Sequence, residues 1–202
     1  MNETVNMNAT VKLTPEERQE IRSKTAKPLL WLGIIGIIML FAGLTSAYVV
    51  SMGSNKWVSV ELPQIFWISS AVILLSSLTM NWALQSAKKN ERTRISTALM
   101  LTFVLGLGFC VSQYLGWSDL YSRSIVFAGK YSHPAGSYLY FLTALHLLHL
   151  LAGMIALLVT WRNAAKGRYD SQHTLGLELC ALYWHFLDFL WIYLFFFLYF
   201  IR

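Results

Sequence analysis

An all-α membrane bundle of five spanning helices is the fold class this sequence predicts, and three observations carry it. Of 202 residues, 56% are hydrophobic and only 13% charged, whereas soluble domains are roughly one quarter charged. Five apolar runs of about twenty residues each stand apart along the chain, long enough to cross a roughly 30 Å hydrocarbon core as helices. The period-two alternation of a membrane barrel is missing, so helices are the remaining way to satisfy every backbone polar group in lipid.

Residues 1–28 read as a polar cytoplasmic tail and 29–202 as the membrane domain. Within the tail, Thr14 before Pro15-Glu16-Glu17-Arg18 predicts a short capped surface helix. No cleavable leader is expected, because the first apolar run is preceded by about 27 polar residues and no short apolar leader core. The spans run Leu29 to Val50, Leu62 to Leu84, Ile95 to Trp117, Ser137 to Trp161 and Leu175 to Ile201. Gly43 with Ala47, and Ala152 with Ala156, are small pairs at helical spacing that predict close helix approach. Trp31, Trp57, Trp82, Trp117 and Trp161 fall near span ends, where an aromatic belt is expected. The one long connection, Gly116 to Gly136, is the expected docking loop on its side.

Lys and Arg resist translocation and collect on the cytoplasmic side. Lys12, Arg18, Arg22, Lys24 and Lys27, then Lys88, Lys89, Arg92 and Arg94, then Arg162, Lys166 and Arg168 all fall on one side of the five-span arrangement. Only Lys56, Arg123, Lys130 and Arg202 fall on the other, which predicts the N-terminus inside and the C-terminus outside. The net charge of +6 is spread over loops, as topology and contact with anionic lipid require, and no nucleic-acid partner is expected. Cys110 and Cys180 lie inside apolar runs as small hydrophobes. The spans show no repeat and no inverted pair of broken helices, which argues against a transporter.

Chemistry concentrates in the last two spans. Glu178, His185 and Asp188 recur at spacings that put them on one helical face, although a charge at membrane depth costs about 2.5 to 3.5 kcal/mol on insertion scales. His146 and His149 share a face of the fourth span with Tyr140, Thr143 and Gly153. His146, His149, His185 and Asp188 reach mid-bilayer, with Glu178 nearer the inner end of its span, so a buried cluster of His and carboxylate side chains is expected. Three readings of it stay open. A metal site would use imidazole with carboxylate, but Glu-x-x-His is absent. A b-type haem would bridge His149 and His185. Mutual hydrogen bonding between helices is the third, and spacing alone favours it. Glu178 is also placed to reach His149, or Arg162 and His173 of the neighbouring loop.

The segment Glu178-Leu-Cys-Ala-Leu-Tyr-Trp-His-Phe-Leu-Asp-Phe-Leu-Trp191 resembles the signature of subunit III of the haem-copper cytochrome oxidases, in the five-helix bacterial form. His146-Leu-Leu-His149 running to Gly153, Gln113-Tyr114, Leu74-Leu-Ser-Ser77 with Thr79 and Trp82-Ala83, and Phe41-Ala42-Gly43 are similar to that family's text as well. The resemblance covers about Leu29 to the end. It departs where many members hold an intramembrane acid, a position occupied here by Ile37, and it matches a shorter form lacking the first two of seven helices, with an incomplete lipid cleft.

The resemblance implies an accessory subunit of a proton-pumping terminal oxidase in a bacterial plasma membrane, with no catalytic residue and no metal site in this chain. Haem and copper would belong to partner subunits. Subunit I would be the main contact, with subunit II and bound phospholipid beside it. His146, His149, Glu178, His185 and Asp188 would form a structural polar network, and Arg162 and His173 would meet lipid. Cytochrome c is the expected donor, with a quinol oxidase as the alternative. A stand-alone transporter or haem protein using His146, His149 and His185 is the more distant one.

Overall fold

The computed structural model describes residues 14–55, 57–129, 133–167, 169 and 174–201. Five helices account for most of them: α1 (Pro15–Ser51), α2 (Ile65–Lys88), α3 (Arg92–Ser122), α4 (Pro134–Ala165) and α5 (Leu175–Phe200). No strand occurs among the described residues. All five are long and apolar enough to cross a membrane, as the hydropathy pattern predicts.

Most of the helices outrun the apolar runs that announce them, because hydropathy marks contact with hydrocarbon while the backbone ladder continues into the headgroups. α1 shows this most. The capping residue and first turn expected of a separate surface helix instead open α1 itself, which runs 37 residues with Pro28 inside it. The long connection expected from Gly116 to Gly136 is shorter for the same reason: α3 continues to Ser122, and Pro134 opens α4, its fixed φ suited to a first turn. Gly167 closes α4 at φ 69°, with its amide donating to Ala164 O at 2.9 Å, a left-handed cap that glycine adopts without strain.

Among the described residues, α2, α3, α4 and α5 form a closed ring in which each packs on the next and α5 returns to α2. α1 lies outside that ring against α4 and α5 and does not pack on α2 or α3. Burial follows: half of the apolar window of α5 is buried, but only 17% of that of α1. The remaining apolar surface, including Leu32, Met39, Leu78, Leu148 and Ile155, is what a lipid-facing exterior requires.

Close approach is achieved at glycines other than the expected ones. A Cβ at Gly116 would sit 2.4 Å from the Phe66 ring, and one at Gly153 would sit 3.0 Å from Leu187 Cδ1, so α2 meets α3 and α4 meets α5 at these points. Gly43 has nothing within 4 Å of its Cβ position, and Ala152 and Ala156 are exposed. Gly43, Ala152 and Ala156 are thus open on the surface of the bundle, because a small-xxx-small pattern fixes one face of a helix without saying whether another helix lies there.

Candidate functional site

α5 packs on α1, α2 and α4, and α4 on α1, α3 and α5, and the ionisable residues singled out by the sequence sit on these two helices. Glu178, at the start of α5, accepts from Lys27 Nζ of α1 at 2.7 Å and from Thr174 Oγ1 at 2.8 Å. That pair ties α1 to α5 where both helices enter the apolar layer. His149 does not reach it. Its Nδ1 lies 2.7 Å from the Leu145 carbonyl of its own helix, so Nδ1 carries the proton and donates, and its ring stands edge-on to Phe41 of α1 with centroids 5.8 Å apart.

His185 turns toward α2, with Nδ1 2.7 Å from Ser77 Oγ. Asp188 Oδ2 lies 3.9 Å from the same nitrogen, an ion-pair distance rather than a hydrogen bond. Asp188 is 4% exposed, and neither of its oxygens has a hydrogen-bond partner among the described residues. His146 is fully buried, packed on Trp191 at 5.3 Å and Phe109 at 6.0 Å between ring centroids. Neither of its nitrogens meets a hydrogen-bonding group of the described protein.

The structure therefore brings His185 and Asp188 together and gives Glu178, His146 and His149 separate surroundings. The single cluster of histidine and carboxylate expected from spacing divides because α5 is encircled: Glu178 faces α1, His185 faces α2, and the α4 imidazoles face aromatic rings. Arg162 is exposed at the end of α4, and His173 lies outside the described residues. Among the described residues, no three His, Cys, Asp or Glu side chains gather at metal-ligating range. The two cysteines are free, Cys180 buried and Cys110 beside Met154 with sulfurs 3.9 Å apart.

What sequence reasoning missed is a ladder of hydroxyl and indole groups. Trp184 Nε1 donates to Ser76 Oγ and Trp191 Nε1 to Ser70 Oγ, both at 3.0 Å. Each serine passes its own proton to a carbonyl of its helix, Ser76 to Ile73 at 2.8 Å and Ser70 to Phe66 at 2.8 Å, so donors and acceptors are both satisfied. The same device joins the other seams: Gln113 Nε2 to Ser69 at 3.2 Å, Thr79 with Thr102 at 2.7 Å, Trp117 Nε1 to Thr143 at 3.0 Å and Trp161 Nε1 to Ser96 at 2.9 Å. A signal existed. Ser69, Ser70, Ser76 and Ser77 repeat at seven residues, as do Trp184 and Trp191, which is the seam spacing of packed helices. Hydroxyls that bond their own helix are easily taken as inert in lipid.

A ring of apolar helices whose interior hydroxyl, indole and amide groups bind helix to helix defines a class: a multi-pass helical membrane protein in which buried polarity serves adhesion. The family model of cytochrome c oxidase subunit III matches residues 29–202, and the chain belongs to that family. Among similar proteins are cytochrome c oxidase subunit 3 of Petromyzon marinus, 33% identical over 144 residues covering 71% of this chain and 51% of the relative, and that of Mus musculus, 32% identical over 129 residues covering 63% and 47%. That of Cyprinus carpio is 33% identical over 129 residues, with 63% and 47% covered. The chain spans about half the length of the curated relatives it matches.

Proposed function

We propose that this chain is a non-catalytic subunit of a proton-pumping haem-copper terminal oxidase that takes electrons from cytochrome c. It packs mainly on subunit I, with subunit II in the same complex, and holds structural phospholipid. Haem and copper reside in those partners, and the chain sustains proton uptake and the working life of the catalytic site. The observation that carries this reading is the family signature at 178–191, whose Trp184, His185 and Trp191 are engaged with α2 hydroxyls. Side chains already bound to a neighbouring helix suit a rigid wall better than a redox or ligand centre.

The asymmetry of Lys and Arg supports an N-terminus inside, and the proposed residence is a bacterial plasma membrane. Arg162 remains the proposed lipid contact at the basic side. The test is isolation of the tagged full chain from its own membrane. It is expected to bring down an oxidase core whose haem spectrum is that of the core alone, reduced by cytochrome c and not by quinol. A chain that purifies without such a core, or that carries stoichiometric haem by itself, overturns the reading.

A further inference from the structure

At the end of the bundle opposite the Lys27–Glu178 pair, Trp117, Phe127, Tyr140, Phe141 and Ala144 line a cavity of about 230 Å³. Apart from Ala144, every lining side chain is an aromatic ring. Ring centroids of Trp117 and Tyr140 are 6.5 Å apart at 47°, and those of Phe127 and Tyr140 are 6.4 Å apart at 83°, so the walls stand at steep angles to one another. The walls are also fixed in place. Tyr140 Oη donates toward Ile125 O at 3.0 Å and Trp117 O at 3.2 Å, and Trp117 Nε1 donates to Thr143. Ser137 Oγ donates to the carbonyl of Phe127 at 2.6 Å, holding the loop that carries that ring.

We infer that this aromatic cage holds the ammonium end of a zwitterionic phospholipid headgroup. The chemistry follows from what the rings offer. The phenol and indole protons are engaged elsewhere, no carboxylate lines the cavity, and ring faces attract a weakly hydrated alkylammonium within about 6 Å of a centroid. Depth agrees: α4 has 32 residues, roughly 48 Å at about 1.5 Å each, against roughly 40–45 Å for a bilayer with headgroups. Tyr140 lies roughly 10 Å below Pro134 on the same rise, at the border of headgroup and hydrocarbon. Phe141 and Ala144 are exposed on the lipid side of α4, which opens the cage sideways to the membrane. A second cavity, toward the opposite ends of α3 and α4, is lined by Met100, Phe103, Leu157, Leu158 and Trp161; its walls mix aliphatic side chains with two rings and suit an acyl chain.

The experiment uses the full-length chain, delipidated and offered equal amounts of dioleoyl phosphatidylcholine, phosphatidylethanolamine and phosphatidylglycerol, with bound lipid read by native mass spectrometry. Phe127 and Phe141 are exposed, so the double variant F127L/F141L leaves the core intact. Its ratio of bound zwitterionic lipid to phosphatidylglycerol is expected to fall roughly fivefold, the worth of about one ring–cation contact. L78A, a change at an exposed site of α2, which contributes nothing to the cage, leaves the ratio unchanged. With the wild type, soluble phosphocholine is expected to displace bound phosphatidylcholine and glycerol phosphate is not. An unchanged ratio in the double variant, or equal displacement by the two soluble compounds, overturns the inference.

Discussion

The α2–α5 ring and the outlying α1 solve the same problem of adhesion in lipid by different means. In the ring, large side chains such as Trp184, Trp191, Phe66 and Phe109 are fully buried, and buried hydroxyls cross the seams between helices. α1 is held by polar links spaced along its length: Lys27 to Glu178, Thr45 to Tyr193 at 3.1 Å and Ser51 to Tyr138 at 3.1 Å, with Phe41 and Tyr48 as its buried aromatic anchors. Lipid tails are as apolar as leucine, so dispersion packing and hydrogen bonds rather than water exclusion drive association. The ring has both in depth, whereas α1 has the second and a thin layer of the first.

Substitutions separate the two modes, and the largest contrast comes from truncation. Trp184→Ala is expected to destabilise the bundle by about 3 to 5 kcal/mol, while Trp31→Ala on α1, at a half-exposed side chain, stays within about 0.5 kcal/mol; unfolding by steric trapping in bicelles measures both. Equal losses would mean that α1 and the ring form one cooperative core. Next in size, Gly116→Val forces the Phe66 ring aside and costs about 1 to 3 kcal/mol. Gly43→Val meets no neighbour and leaves the melting temperature in detergent where it was.

Smaller still are the hydrogen bonds. A double-mutant cycle on Trp191→Phe with Ser70→Ala is expected to give a coupling of about 0.6 kcal/mol, the average for such bonds in a membrane. The same cycle on Tyr193→Phe with Thr45→Val should give no more than that, because this bond is only partly buried. Smallest is Lys27→Gln, whose ion pair is half exposed and is worth about 0 to 1 kcal/mol. Its effect on α1 protection in hydrogen exchange should vanish at high salt; a salt-independent loss would show that Lys27 anchors α1 by more than charge.

The spans were legible because length and apolar content decide them, and each predicted run lies wholly or largely inside an observed helix. Their ends were not, since a helix leaving hydrocarbon keeps its backbone bonds and changes only its side chains. The candidate site was legible residue by residue but not as an assembly. Glu178, His185 and Asp188 do share a region of α5, yet spacing on one helix cannot tell which of three neighbours each residue faces. The reading also weighted charge over hydroxyl. Desolvation makes an ionisable residue conspicuous, while Ser70 and Ser76, already bonded to their own backbone, look harmless until an indole from α5 is found at their second lone pair.

The length of α1 has a mechanical consequence. Thirty-seven residues in one helix make a rod of roughly 55 Å at about 1.5 Å per residue, well beyond a roughly 30 Å hydrocarbon layer. One end therefore stands in water while the other is clipped to the outer ring of the bundle. Pro28, whose missing amide leaves the Lys24 carbonyl without its usual donor, lies beside the Lys27–Glu178 contact and is the position at which this rod bends most easily.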